Sequence, residues 1–221
     1  MDLIAFTLWG YDFSWLEIAG LLTGLLAVYL AGRGRVATFF VGLINCAIFF
    51  ALFWQQHLYS MMLMQVFFFA IDIYGIVAWG IPCKNKPDKQ LRISTLQPQH
   101  QVGLGLGILF GGLLWGWLVE SVTERFDLVQ SKYLYTDAII FVANVVGQWL
   151  LARKKIENWV VWILVDLASV VLCALSSIYL TSLLYVGYVA ISVYALRLWY
   201  REMENDKKAE KIAHKNKKKK N

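Results

Sequence analysis

Long apolar runs separated by short polar stretches organise the 221-residue chain. Seven of them, roughly 16–32, 36–55, 58–80, 102–120, 136–152, 157–176 and 181–200, approach the length of about 20 residues with which an α-helix crosses a hydrocarbon core. The breaks are Gly32-Arg33-Gly34-Arg35, Gln55-Gln56-His57, a longer segment from Pro82 to Gln101, Glu120 to Tyr135, Arg153-Lys154-Lys155 and Ser176-Ser177. Several are too short for barrel logic and the runs lack period-2 alternation, so the pattern predicts helices. The expected fold class is an all-α integral membrane protein with seven transmembrane helices.

Composition agrees. The chain is 59% apolar and 16% charged, where soluble domains average about 45–50% and 25%. The net charge of +6 would suggest nucleic acid if the charges clustered on one globular face. Instead 19 of the 21 Lys and Arg fall on alternate connections and the C-terminal tail, leaving Arg125 and Lys132 on the other side. By the positive-inside rule this predicts a cytoplasmic C-terminus and, with seven spans, an outside N-terminus. The tail, 201–221, reads as a basic cytoplasmic segment, disordered from Lys207 to Asn221, and nucleic acid is not an expected partner. Cys46, Cys83 and Cys173 form no CxxC pair and predict neither disulfides nor a metal site.

The chain also repeats. A shift of 120 lays Tyr59 on Tyr179, Leu63 on Leu183, Ala70 on Ala190, Tyr74 on Tyr194 and Trp79 on Trp199. Upstream, a shift of 121 superposes Ala31-Gly32-Arg33 on Ala152-Arg153-Lys154 and Asn45 on Asp166. Three helices end on the side opposite their start, so one linker helix lets a second triplet begin in the same orientation. The expected organisation is 3+1+3, a first repeat at 16–80, a linker at 102–120 and a second repeat at 136–200, about an axis along the membrane normal, with substrate held between the halves. In the linker, Gly103, Gly107 and Gly111 make a small-xxx-small stripe suited to close helix packing.

Polar side chains at membrane depth need a partner or a task. Asn45 lies mid-way along span two; Gln65 and Asp72 lie in span three, on one face with Phe69; Asn144 and Gln148 stand at i, i+4 in span five; Asp166 is central in span six. Trp159, Trp162 and Asp166, at i, i+3 and i+7, share a helix face, two indoles for a flat or cationic ring with an acid beyond. The Asn144 and Gln148 amides suit ribose hydroxyls or a carboxamide. Tyr185, Tyr188 and Ser192 form a stripe that can line the same space. No P-loop, HExxH or nucleophile–base pair is present, so no pump, metal centre, cofactor or enzyme is expected.

The 3+1+3 spans, the segment from Gln65 to Tyr74-Gly75, Asn144 with Gln148, the basic turn into Glu157-Asn158-Trp159-Val160-Val161-Trp162 and the Lys-rich tail together resemble the PnuC vitamin transporters over about residues 15–200. The resemblance implies a SWEET-like fold and uptake of nicotinamide riboside across a bacterial inner membrane by facilitated diffusion, with a cytoplasmic nucleoside kinase trapping the product. It implies that Trp159 and Trp162 are the family's paired tryptophans and that Asn144 and Gln148 are its amides; Gln65, Asp72, Asp166, Tyr188 and Asn45 join the candidate substrate contacts. Besides the small-molecule substrate, the expected partners are membrane lipids, with homo-oligomerisation left open. Thiamine or riboflavin as cargo, proton coupling through Asp72 or Asp166, and a non-transporting scaffold are the alternatives.

Overall fold

The computed structural model describes residues 4–8, 11–55, 59–80, 91–127, 132–175 and 179–220. Apolar runs become helices: α1 (Trp15–Gly32), α2 (Ala37–Gln55), α3 (Tyr59–Gly80), α4 (Pro98–Arg125), α5 (Leu134–Ala152), α6 (Glu157–Leu175) and α7 (Tyr179–Lys220). Six of them, α1–α5 and α7, are long and apolar enough to cross a membrane, and α6 matches α5 at 19 residues. Large apolar side chains such as Leu22, Ile44, Leu114 and Leu164 face outward, the surface a lipid solvent requires.

Three features differ from expectation. A short antiparallel hairpin, β1 (Ile4–Leu8) with β2 (Tyr11–Ser14), precedes the helices. It leads into α1 through a capping box, in which the Glu17 amide donates to Ser14 Oγ and the Ser14 amide donates to Glu17 Oε2. The tail is not disordered: α7 continues to Lys220. No Gly or Pro follows Gly187, and Glu204 and Lys208 stand at i, i+4. Finally, the glycine stripe of α4 lies elsewhere. Gly103 and Gly107 face open space, whereas Gly112 and Gly116 are buried, and a Cβ there would meet Ile139 and Tyr135 of α5 at 2.6 Å. The stripe at i, i+4 is real, but it begins at Gly112, with Gly111 at its margin.

Six helices close a ring: α1 packs on α2, α2 on α3, α3 on α5, α5 on α6, α6 on α7 and α7 on α1, while α4 packs on α5. At the end carrying Arg33, Arg35 and Arg153–Lys155, an aromatic core of Phe39, Trp159 and Trp199 with Ala31, Leu151, Ala152, Ile156, Ala195 and Met203 fills the ring. The turns there are alike. Arg33, Gly34 and Arg35 amides donate to Tyr29, Ala31 and Leu30, and Arg153, Lys154 and Lys155 amides donate to Trp149, Leu151 and Leu150. Every member is offset by 120 residues. Gly34 and Lys154, the left-handed residues of the two turns (φ 64° and 50°), share that offset. The 121 shift expected for the turns is therefore corrected to 120, and carried into α2 and α6 this register sets Asn45 against Val165, not Asp166. Apolar helices match nearly as well one residue out of step, which is why the sequence alone left the error.

Candidate substrate site

Most of the expected polar positions face the inside of the ring, in two groups. In the first, Asp72 of α3, 1% exposed, accepts a 2.6 Å hydrogen bond through Oδ1 from Gln148 Nε2 of α5. Its other oxygen lies over Gly42 of α2, where a Cβ would collide with the carboxylate, and 3.9 Å from Cys46 Sγ. One carboxylate thus joins three helices. One residue before Gln148, Gly147 leaves room for Trp162: a methyl at Gly147 would sit 2.6 Å from the indole Nε1. Trp162 is half-buried and meets Trp159 edge-on, with ring centroids 5.4 Å apart.

In the second group, Asn45 Nδ2 donates to Gly20 O at 2.7 Å and Thr23 Oγ1 at 2.9 Å. A Cβ at Gly24 would meet the Tyr188 hydroxyl at 3.1 Å and Asn45 Nδ2 at 3.4 Å. The absent side chain of Gly24 brings α7 and α2 polar groups together across α1. Tyr188 stands 6.3 Å from Tyr185, ring to ring, and Ser192, next on that stripe, is buried.

The remaining positions are less engaged. Asn144 is half-buried and donates to Ile140 O of its own helix at 3.0 Å, which leaves its carbonyl oxygen for another donor. Asp166 is half-buried, with no hydrogen bond to another side chain among the described residues. Gln65 is buried on α3, but Phe69, expected on its face, is 45% exposed. Trp159 is fully buried in the aromatic core, its ring edge-on to Trp199 at 5.5 Å and its Nε1 without a hydrogen-bond partner among the described residues. The two tryptophans therefore differ: Trp162 borders the polar groups, and Trp159 backs it from the core.

Reading by residue type missed Gly147, which makes room for Trp162, and a pair of latches. Trp79 Nε1 of α3 donates to Ala152 O at 3.0 Å, and Trp199 Nε1 of α7 donates to Gly32 O at 3.1 Å. Donors and acceptors are each 120 residues apart. Trp79 packs edge-on against Phe39 and Trp199 against Trp159, with interplanar angles of 85° and 86°. The alignment of Trp79 with Trp199 was the available signal.

Outside the ring, the segment before α4 braces the second basic turn. Ser94 N donates to Lys154 O and Ile156 N to Ser94 O, both at 3.1 Å. Glu157 Oε1 accepts from Leu96 N at 2.8 Å and Gln101 Nε2 at 3.0 Å. Lys154 Nζ lies 4.6 Å from the Trp79 ring centroid. Burial lowers the Lys154 pKa, and nearby Glu202 partly restores it.

Known proteins are similar to this chain in sequence and fold. The family model described as nicotinamide mononucleotide transporter matches residues 14–201. The nicotinamide riboside transporter PnuC of Escherichia coli K12 is 31% identical over 207 residues, covering 86% of this chain and 87% of that protein. The riboflavin/roseoflavin transporter RibM of Streptomyces davaonensis is 24% identical over 202 residues, covering 91% and 92%. A crystal structure of the vitamin B3 transporter PnuC superposes with a TM-score of 0.65 at 20% identity, covering 86% of this chain and 83% of that one. The family and these relatives are transporters, not enzymes. The chain belongs to the PnuC family of multi-pass membrane transporters.

Proposed function

We propose that this protein takes up nicotinamide riboside across a bacterial inner membrane by facilitated diffusion. The observation that carries the reading is the Gln148 amide, held by Asp72, one residue from the glycine that seats Trp162. An indole suits a cationic pyridinium, and the amides of Asn144 and Gln148 suit a carboxamide or ribose hydroxyls. Trp162 takes the ring, with Trp159 supporting it from behind; Asp166, Gln65, Asn45 and Tyr188 complete the lining.

The mechanism follows from the ring. Its packing pairs are unchanged when α1, α2 and α3 are exchanged with α5, α6 and α7, and α4 stands outside. That supports seven spans in a 3+1+3 arrangement, with repeats at 16–80 and 136–200, a linker at 102–120 and a basic tail at 201–221. In this orientation the basic end and C-terminus are cytoplasmic, the N-terminus is outside, and the Trp79 and Trp199 latches close the cytoplasmic mouth. Alternating access parts those latches for release and re-forms them as the outer side opens. A cytoplasmic kinase then phosphorylates the nucleoside, adding charge that forbids return.

Vesicles containing trapped nucleoside kinase and ATP test the whole reading. Accumulation of phosphorylated nicotinamide riboside, unaffected by a proton ionophore, is expected; ionophore-sensitive accumulation points to proton coupling, and none at all overturns transport. The RibM relative makes riboflavin the second cargo to titrate, with thiamine alongside.

A further inference from the structure

Gln148 offers a ligand two chemically opposite ends, an amide donor and a carbonyl acceptor. The structure ties one of them to a neighbour. Its Nε2 is turned to Asp72 Oδ1 at 2.6 Å, and a carboxylate can only accept, so the NH2 group is the end that must face it. Asp72 is itself confined. It is 1% exposed, its second oxygen lies against the Cα of Gly42 with no room for a methyl between them, and Cys46 Sγ lies 3.9 Å from that oxygen.

We propose that Asp72 is a positioning residue that sets the polarity of Gln148, presenting the carbonyl Oε1 to the cargo so that this subsite takes a hydrogen-bond donor, a hydroxyl or a primary-amide N–H. The inference rests on the site proposed above and changes the part Asp72 plays in it. Asp72 acts on the ligand through Gln148. A ligand with only an acceptor at that point, such as a carboxylate in place of a carboxamide, finds an oxygen facing an oxygen.

A swap of the pair tests this by calorimetric titration of the purified full-length protein with nicotinamide riboside, with thermal midpoints recorded for every variant. Gln148→Glu alone sets two carboxylates together, and Asp72→Ala frees the amide to turn. Each is expected to weaken binding by about tenfold, the scale of one charge-assisted hydrogen bond. The double variant Asp72→Asn/Gln148→Glu restores a donor–acceptor pair with its polarity reversed and still leaves an oxygen at position 148 facing the ligand. It is expected to bind within about threefold of the unaltered protein, a recovery well inside the span of one such bond. Asp72→Ala should add less than about twofold in a Gln148→Ala background, since residues acting through one another are non-additive.

A swap that stays as weak as Gln148→Glu while its thermal midpoint recovers means the cargo needs the Gln148 N–H, and overturns the inference. Equal losses from Asp72→Ala in both backgrounds also overturn it, by giving Asp72 a direct or purely structural part. If Gln148→Ala binds as tightly as the unaltered protein, the proposed site itself is wrong, and this result is separable from the other two.

Discussion

The helices α1–α3 and α5–α7 close on each other with matched parts but carry unmatched chemistry. Their turns repeat hydrogen bond for hydrogen bond at an offset of 120, and each half lends a tryptophan N–H to the other's turn, Trp79 to Ala152 and Trp199 to Gly32. In the same register the amides of α5 have no counterparts: Asn144 falls opposite Gly24 and Gln148 opposite Val28, while Asp72 falls opposite Ser192. Closing two similar halves about an axis calls for reciprocal contacts, so symmetry is kept where they meet. Holding an asymmetric molecule calls for different groups on its two sides, which is what the proposed site requires of the place where the amides stand. Closure is shared between the halves, and the Asn144 and Gln148 amides of the proposed site come from the second alone.

The largest effects should come from the shared part. Trp199→Ala empties a fully buried site in the aromatic core, with an expected loss of about 3–5 kcal/mol. Trp79 is only half-buried, so Trp79→Ala costs less. The milder Trp79→Phe and Trp199→Phe keep a ring and delete one N–H each, at about 1 kcal/mol, with a further loss from the smaller ring that is greater at fully buried Trp199. Thermal unfolding in detergent reads all four. A loss from both Phe variants would support a symmetric closure, and a loss confined to one half would break it.

Gly147→Ala strikes the second half alone. The new methyl would lie 2.6 Å from the Trp162 indole nitrogen, an overpacking expected to cost about 1–3 kcal/mol, and titration with nicotinamide riboside should weaken as the ring is displaced. Its counterpart Ala27, at the same offset, already carries a methyl. Next in size, Gln148→Ala should weaken nicotinamide riboside binding by about tenfold, near 1.4 kcal/mol. Adding Val28→Gln, which puts an amide at the matching place in the first half, should leave that loss uncorrected. Recovery in the double variant would show that either half can supply the amide, and would end the asymmetry.

How much of this was legible beforehand follows from what sets each feature. Helix ends were read to within about two residues in α1, α2, α3, α5 and α6, because charged or amide-rich turns bound their apolar runs, as Arg33 and Arg153 do. α4 and α7 ran past their apolar runs because polar residues such as Gln99 and Glu204 sustain a helix as well as apolar ones do. The amides, the acids and Trp162 were found as costly polar or aromatic groups within otherwise apolar helices. Gly147 was not, because what matters there is the side chain that another helix places against it. The same holds for Trp159, whose burial depends on α7, 40 residues further on. The one-residue register error has that origin too, since a hydrogen-bonded turn discriminates offsets that similar apolar side chains do not.

The smallest effect concerns the single backbone position where the matched turns differ in kind. Gly34 takes its positive φ freely, whereas Lys154 takes one with a side chain attached, at a cost of about 1–2 kcal/mol. Against that stand its contact with the Trp79 ring, about 0.5–1 kcal/mol, and the chain entropy a glycine would add to the unfolded state, again about 0.5–1 kcal/mol. Lys154→Gly should therefore leave stability within about 1 kcal/mol of its starting value. Charge separates the opposing contributions. Burial makes the folded chain give up the Lys154 proton at a lower pH than the unfolded chain does, so between those two values the unfolded state binds more protons and the contribution of this residue to stability rises with pH. Compared with Lys154→Met, which keeps the stem and never titrates, the unaltered protein should gain in thermal midpoint as the pH climbs toward the ordinary lysine range. A difference that stays flat or falls would mean that the Trp79 ring and Glu202 compensate the buried charge in full. In that case the second turn holds its lysine as comfortably as the first holds its glycine.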